Sequence, residues 1–275
     1  MPLELDDAEW EGVVGTLRAA GCVFAEDEAK LLCEAAGERA ALDSMVASRV
    51  AGEPLELVVG WAEFSRLRLV VEPGVFVPRW RTGFLAHLAS GFLAAGEVVV
   101  DLCCGAGPIG AALLDEMRRR GDGDIELHAV DVDEVAVRCA RKNLATAIEA
   151  GNAFVYRGDL DAPLPSKLAG QVSILTANVP YVPSSEIPLL PSEAREYEPL
   201  AALDGGPDGL DLLRRVAHAA PHWLRPDGRL LIEISDRQKD AAVAAFQAVG
   251  LEPDVRESDD FETTVLIGRQ PRSCG

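Results

Sequence analysis

Hydrophobic positions near the start of this 275-residue chain recur at helical spacing. The segments that show this spacing are residues 8–20, 26–37 and 40–51. The first segment ends at Gly21 and the third at residues 52–54, which contain glycine and proline, as is typical where helices stop. We therefore predict a small helical N-terminal domain over residues 1–59.

After this domain, the hydrophobic pattern changes from helical spacing to strand-like alternation. Residues 60–78 alternate apolar and polar side chains around residues 72–74, which predicts a β-hairpin within a linker of residues 60–82. From residue 83 onward, short apolar runs alternate with helical segments, and the last two such runs are residues 230–234 and 264–267. This order predicts an α/β fold, a doubly wound parallel sheet with a C-terminal hairpin, over residues 83–275.

The first buried strand of the sheet leads into a glycine-rich turn. Residues 97–102 form the strand, and residues 103–110 form a turn that precedes a helix rich in alanine and leucine. Glycines at 105 and 107 let the backbone approach a ligand, and a helix N-terminus favours a carboxylate or hydroxyl-rich group. Position 103 holds cysteine instead of glycine, so a dinucleotide-binding fingerprint is poorly supported.

The next two strands end at acidic residues. Residues 125–130 precede Asp131, and a helix is predicted over residues 134–150. An acid at the end of the second strand binds ribose hydroxyls in nucleotide-binding folds. A third strand, residues 153–156, leads to Asp159, which can accept a hydrogen bond from an adenine amino group. Acidic residues are also common in such turns without any ligand.

A four-residue motif follows the apolar strand predicted over residues 172–177. The side chain of Asn178 and the backbone carbonyl of Val179 present two acceptors, which suit the hydrogens of a planar NH2 group. Pro180 restricts the backbone, and Tyr181 offers a flat face. The motif alone also fits a strand followed by a proline turn. Together with the glycine-rich turn, it indicates a methyl donor site beside an amide or amine nucleophile.

These segments resemble the HemK/PrmC-type family of class I, S-adenosylmethionine-dependent methyltransferases, which modify the glutamine side-chain amide in proteins. The resemblance covers nearly the whole chain, and residues 193–210 are its most specific part. It implies S-adenosylmethionine as the cofactor and no metal. The implied cofactor-binding residues are Asp101, Cys103, Cys104, Gly105, Ala106, Gly107, Asp131, Asp159, Leu160 and Asn178. The implied catalytic residues are Asn178, Val179, Pro180 and Tyr181.

Three departures from the family pattern bear on activity. Val179 replaces the first proline of the Asn-Pro-Pro-Tyr motif, which keeps the carbonyl but reduces rigidity. Cys103 replaces a glycine, which we expect to be tolerated if its backbone keeps a negative φ. Trp80 and Arg81 replace a proline and an acid after residues 77–79, and Gly83 replaces a second acid.

The departures at residues 80–83 change the kind of substrate that we expect. We predict that Trp80, Arg81, Glu198 and Pro199 line the wall that binds a protein partner, and that the N-terminal helices contribute to recognition or to stability. A cation and an aromatic ring beside the entering glutamine predict a preference for acidic or aromatic neighbours over a standard release-factor loop.

Composition narrows the classes of partner. The chain has a formal net charge of −19, which repels nucleic acid phosphates and is compatible with a protein partner that has a basic surface. A cytoplasmic protein is expected, because no apolar stretch is long enough to span a bilayer and the N-terminus is acidic where a signal peptide is basic. The six cysteines lack Cys-x-x-Cys spacing, so neither a zinc site nor a disulfide framework is predicted.

Three functional classes stay open. The first is methylation of a glutamine in a protein, which is a translation release factor, a ribosomal protein or a more specialised substrate. The second is a methyltransferase that acts on a small molecule or a nucleic acid base. The third is a non-catalytic relative that retains the donor-binding fold.

Overall fold

The structure, a computed structural model, describes residue 3 and residues 5–272 of the chain. Its first helices are α1 (Asp7–Ala19), α2 (Ala25–Ala36), α3 (Arg39–Val50) and α4 (Leu55–Val59). The first three match the predicted helices to within a residue or two, whereas α4 was not predicted. Asp6 starts α1 with a capping box, in which the Glu9 amide donates to the Asp6 carboxylate at 2.8 Å. Leu17, Leu32 and Leu42 are fully buried between α1, α2 and α3.

A β-hairpin joins these helices to the sheet. Strands β1 (Trp61–Phe64) and β2 (Leu67–Val70) pair antiparallel. The hairpin turn lies at Ser65 and Arg66, which have φ values of 46° and 75°, so the prediction that the hairpin is centred on residues 72–74 is wrong. A turn does form at residues 72–75, but it lies after β2 and outside the hairpin. A turn with two positive φ values suits the twist of a hairpin, but it usually contains asparagine or glycine. Because Ser65 and Arg66 are not typical of such turns, the sequence did not predict a turn at this position.

The remaining elements form an α/β sandwich. Its helices are α5 (Gly83–Ser90), α6 (Pro108–Arg120), α7 (Glu134–Asn143), α8 (Ala145–Glu149), α9 (Ser192–Tyr197), α10 (Asp211–Trp223) and α11 (Lys239–Ala248). Its strands are β3 (Val98–Leu102), β4 (Glu126–Asp131), β5 (Ala153–Arg157), β6 (Val172–Ala177), β7 (Leu224–Ile234), β8 (Glu252–Ser258) and β9 (Thr263–Arg269). The helix predicted over residues 134–150 is divided into α7 and α8 at Leu144.

The strand order is β5-β4-β3-β6-β7-β9-β8. Strands β3 to β7 are parallel, while β8 and β9 form an antiparallel hairpin with β9 beside β7. The predicted doubly wound sheet is therefore confirmed. The chain leaves β3 towards β4 and returns to the other side of β3 as β6. Ligands bind outside the carboxyl ends of strands at such a switch point.

Both faces of the sheet are covered by apolar packing. Every residue of β6 is buried. One core cluster includes Trp223 and Phe246 from α10 and α11, and the other includes Leu85 and Leu113 from α5 and α6. The sheet is thus a rigid platform for the loops at its carboxyl edge.

The sequence predicted neither a membrane-spanning segment nor a zinc site nor a disulfide framework. Within residues 5–272, no helix is both long and apolar enough to cross a membrane. The same part of the chain contains no group of three or more side chains suited to hold a metal ion. Cys22, Cys33, Cys103, Cys104 and Cys139 are free thiols, and Cys274 lies outside the described residues.

Gly110 in α6 gives the first testable prediction. A Cβ at Gly110 would lie 2.7 Å from the Leu127 side chain, which is fully buried, so Gly110→Ala should destabilise the protein by about 1–3 kcal/mol through overpacking. Gly15→Ala in α1 is the matched control, because a Cβ there meets nothing within 4 Å. We expect that control to stabilise by up to about 1 kcal/mol. Urea unfolding measures both, and equal effects of the two substitutions would contradict this account.

Candidate active site

A cavity of about 410 Å³ opens at the carboxyl ends of β3, β4 and β6. This volume is within the range of small-molecule sites. The predicted site residues that line it are Arg81, Cys103, Cys104, Gly105, Ala106, Asp131, Asp159, Leu160, Asn178, Val179, Pro180, Tyr181, Glu198 and Pro199. Asp101, Gly107 and Trp80 were also predicted as site residues but lie outside its lining. The structure thus brings the glycine-rich turn and the 178–181 motif together around one space.

The glycine-rich turn after β3 has a left-handed backbone. Cys103, Gly105 and Gly107 have φ values of 54°, 54° and 80°. The negative φ on which we expected the tolerance of Cys103 to depend is therefore absent, and the residue is held in a region that favours glycine. A Cβ at Gly105 would meet nothing within 4 Å, so this glycine leaves its side of the turn open. Gly107 instead packs against Ala140 of α7.

Asp131 at the end of β4 holds this turn. Its carboxylate accepts hydrogen bonds from the backbone amides of Gly105 at 2.8 Å and Asp133 at 2.9 Å. Burial raises the pKa of the Asp131 carboxyl, and the two amide hydrogen bonds oppose that rise. Each carboxylate oxygen retains further accepting capacity, so Asp131 can bind ribose hydroxyls while it fixes the turn.

Asp101 lies beneath the sheet edge and does not line the cavity. Its side chain is fully buried and accepts from the Thr176 hydroxyl at 2.8 Å. Burial raises the pKa of Asp101 to about 7, although the bond from Thr176 lowers it. A contact between Asp101 and the cofactor stays a prediction, and the position of the side chain favours a structural role.

The adenine side of the predicted site is partly solvent-exposed. Asp159 forms an ion pair with Arg215 at 2.8 Å, so an adenine amino group would share this carboxylate with a guanidinium. Leu160 is buried, has a φ of 48° and presents its apolar side chain to the cavity. Both residues line the cavity, and their contact with adenine stays a prediction.

Asn178 follows β6 and contacts Thr82, which in turn contacts Glu233, and neither Thr82 nor Glu233 was predicted as a site residue. The Asn178 amide nitrogen lies 3.4 Å from the Thr82 hydroxyl, and that hydroxyl donates to the Glu233 carboxylate at 2.7 Å. Glu233 is almost fully buried in β7. An acid within the apolar run of residues 230–234 was the one sequence signal for this role.

Arg81 belongs to the same network. Its guanidinium donates to Glu233 at 3.0 Å and to the Tyr181 hydroxyl. Burial raises the pKa of Tyr181, while the charge of Arg81 lowers it. Glu233 therefore compensates the charge of Arg81 within the protein. The preference for a partner with an acidic or aromatic neighbour stays a prediction, and this pairing weakens the electrostatic argument for the acidic neighbour.

Trp80 lies away from the cavity. It stacks on Phe261 with the ring centroids 5.0 Å apart, and 58% of its surface is exposed. A contact between Trp80 and a protein partner stays a prediction, and it would involve the outer surface of the protein.

Residues 190–203 form one side of the cavity. Glu198 in this segment is buried and accepts from Arg79 at 2.6 Å and from the Val77 amide at 3.3 Å. Burial raises the pKa of Glu198, and the charge of Arg79 opposes this. The N-terminal helices hold the same segment, because Arg49 pairs with Glu193 at 3.2 Å.

The glycines after this segment support the 178–181 motif. A Cβ at Gly205 would lie 2.7 Å from the Pro180 carbonyl, and one at Gly209 would lie 2.2 Å from the Tyr181 carbonyl. The buried Gln238 side chain donates to the same Tyr181 carbonyl at 2.9 Å. The backbone of the motif is therefore fixed from below by close glycine contacts and one amide.

Comparisons with known proteins place this arrangement in a family. Residues 67–182 match the Methyltransferase small domain family. The release factor glutamine methyltransferase of Mycolicibacterium smegmatis is 35% identical over 84% of this chain and 81% of its own length. The enzyme of the same name from Geobacter sulfurreducens is 32% identical over 78% of this chain and 72% of its own. The chain belongs to the release factor glutamine methyltransferase family.

A third relative of that name, from Streptomyces coelicolor, is 39% identical over 70% of this chain and 67% of its own length. The predicted HemK/PrmC-type family is thus confirmed. The predicted enzyme class and cofactor, an S-adenosylmethionine-dependent methyltransferase, follow from this membership. Of the three functional classes that the sequence left open, membership favours the first.

The left-handed backbone of Cys103 gives a prediction about stability. Cys103→Gly should be more stable than Cys103→Ala by about 1 kcal/mol, because glycine has no Cβ to strain at a φ of 54°. Both substitutions remove the thiol, so the comparison isolates the backbone. Chemical denaturation measures the difference. An alanine variant as stable as the glycine variant would show that the turn is unstrained.

Buried Asp101 gives a prediction about how the stability of the protein depends on pH. Its folded pKa of about 7 lies above the ordinary value of 3.8, so the folded state binds a proton that the unfolded state releases between these values. Asp101 should therefore contribute stability at low pH that is lost as the pH rises through about 7. We expect the free energy of unfolding of the parent, minus that of Asp101→Asn, to fall between about pH 4 and 7. A flat difference would contradict this.

Proposed function

We propose that this protein transfers a methyl group from S-adenosylmethionine to the side-chain amide nitrogen of a glutamine in a protein substrate of the release-factor type. The observation that carries the proposal is the position of Asn178 and Val179, which line the same cavity as the glycine-rich turn and Asp131. Family membership supports the substrate class, because the relatives are release factor glutamine methyltransferases.

The residues of the cavity fit the methyl donor. Gly105 leaves open space beside the turn, and Asp131 keeps accepting capacity for the ribose hydroxyls. Leu160 offers an apolar surface to the adenine ring, with Asp159 next to it. When bound, S-adenosylmethionine supplies an electrophilic methyl group on a positively charged sulfur.

The target amide is a poor nucleophile, because its nitrogen lone pair is delocalised into the carbonyl. Positioning therefore has to contribute much of the rate, and well-oriented groups can supply roughly 7–11 kcal/mol. In our proposal, the Asn178 side-chain oxygen and the Val179 carbonyl accept the two amide hydrogens. The nitrogen then faces the donor. Val179 is buried, and its neighbour Pro180 packs on Gly205, so this second acceptor keeps its place without the first proline of the family motif.

Charge in the cavity is compatible with this reaction. The Arg81 charge is paired with Glu233, and a raised pKa keeps Tyr181 protonated at neutral pH. The wall next to the target amide is therefore nearly neutral. In the transition state the positive charge of the donor is spread over sulfur, the methyl carbon and the amide, so a site of low polarity favours the transition state over the bound donor. The N–C bond forms as the S–C bond breaks, and the methylated amide then gives one proton to water.

Asn178→Ala tests both the reaction and the mechanism. We expect methylation of a release-factor glutamine by the parent protein, detected by mass spectrometry, and a loss of turnover on the order of a hundredfold in the variant, because one acceptor is removed. Affinity for S-adenosylmethionine, measured by calorimetry, should change little. Asn152→Ala is the matched control, since Asn152 lies in the turn before β5 and outside the cavity lining.

The outcomes separate substrate from mechanism. A parent protein that binds the donor but leaves the release factor unmodified would reject the proposed substrate. An Asn178→Ala variant with near-parental turnover would reject the role of Asn178.

A further inference from the structure

Two buried residues behind Asn178 constrain its side chain. Thr82 and Glu233 are only 2% and 3% exposed, and neither belongs to the 178–181 motif. The contacts run from the Asn178 amide nitrogen to the Thr82 hydroxyl, at 3.4 Å, and from that hydroxyl to Glu233 Oε2, at 2.7 Å. Three elements meet here, namely the turn before α5, the end of β6 and strand β7.

The direction of these hydrogen bonds is fixed by chemistry. An ionised carboxylate only accepts, so the single hydroxyl hydrogen of Thr82 points to Glu233. Towards Asn178 the hydroxyl oxygen can then only accept, and the Asn178 side chain must present its NH2 group. Because the amide is planar, its oxygen Oδ1 points the opposite way from Thr82.

Arg81 occupies the other oxygen of Glu233. It donates to Glu233 Oε1 at 3.0 Å, and Oε2 is thereby left for Thr82. The positive charge of Arg81 compensates the charge of a carboxylate that would otherwise be costly to bury. The same guanidinium donates to the Tyr181 hydroxyl. One carboxylate thus orients both polar side chains of the motif.

We infer that Thr82 and Glu233 are positioning residues, which hold the Asn178 amide with its oxygen available to accept a hydrogen from the substrate amide. The inference rests on the proposed function and extends it to residues outside the motif. A reversed Asn178 amide would present NH2 to the NH2 of the target glutamine, and two donors cannot pair.

Thr82→Val and Thr82→Ser test this inference as a matched pair. Valine keeps the shape of threonine and removes the hydroxyl, whereas serine keeps the hydroxyl. We expect Thr82→Val to lower kcat by about tenfold or more, since misplaced contacts of this kind cost up to a hundredfold. Affinity for S-adenosylmethionine should stay at the parental value. Thr82→Ser should retain most of the activity.

A double-mutant comparison separates positioning from packing. If Thr82 acts through Asn178, adding Thr82→Val to Asn178→Ala should cause little further loss of kcat. Independent, additive losses would overturn the inference. Equal impairment of the valine and serine variants, or a valine variant with parental kcat, would overturn it as well.

A measurement that needs no activity keeps this test independent of the proposed substrate. With asparagine labelled by ¹⁵N, the side-chain NH2 signal of Asn178 is the one that disappears in Asn178→Ala. Its hydrogens should exchange with solvent more slowly in the parent and in Thr82→Ser than in Thr82→Val. Equal exchange in all three proteins would overturn the inference. Slow exchange in a parent that leaves glutamine unmethylated would reject only the proposed function.

Discussion

The arrangement of the active site depends on one buried carboxylate, that of Glu233 in β7. A carboxylate with only 3% exposure is stable only if charged or hydrogen-bonded partners surround it. Arg81 and Thr82 meet this requirement, so the turn before α5 is held against the sheet. Because Arg81 also donates to Tyr181 and Thr82 contacts Asn178, the partners of Glu233 orient the motif that we propose to bind the target amide.

A second carboxylate organises the donor side in the same way. Asp131 accepts the amides of Gly105 and Asp133, and so it holds the glycine-rich turn in its left-handed form. That form is kept although Cys103 stands where glycine is favoured, which indicates that the surrounding contacts outweigh the local strain. The two carboxylates lie on opposite sides of β3 and β6 in the sheet order, and the cavity lies between the groups that they hold.

Local patterns predicted the parts of the fold that local forces determine. The helices at the start of the chain, the parallel strands, Asp131 and the 178–181 motif were found from spacing, glycines and strand-end position. The hairpin turn at Ser65 and Arg66 was missed, because its positive φ values are imposed by strand pairing and not by its residue types. The roles of Thr82 and Glu233 were missed because residues 151 positions apart meet only through the sheet. The pairing of Arg81 with Glu233 is likewise a long-range contact. The sequence did not reveal it, so the charge of Arg81 was predicted to face the substrate.

The most direct test of the account is a crystal structure of the protein with S-adenosylhomocysteine and a glutamine-containing release-factor peptide. We predict that the glutamine Nε2 atom lies about 2.7–3.2 Å from both Asn178 Oδ1 and the Val179 carbonyl oxygen. The Asn178 amide nitrogen should remain on Thr82. A complex in which the glutamine amide contacts neither acceptor, or in which Asn178 turns its NH2 group towards the peptide, would contradict the account.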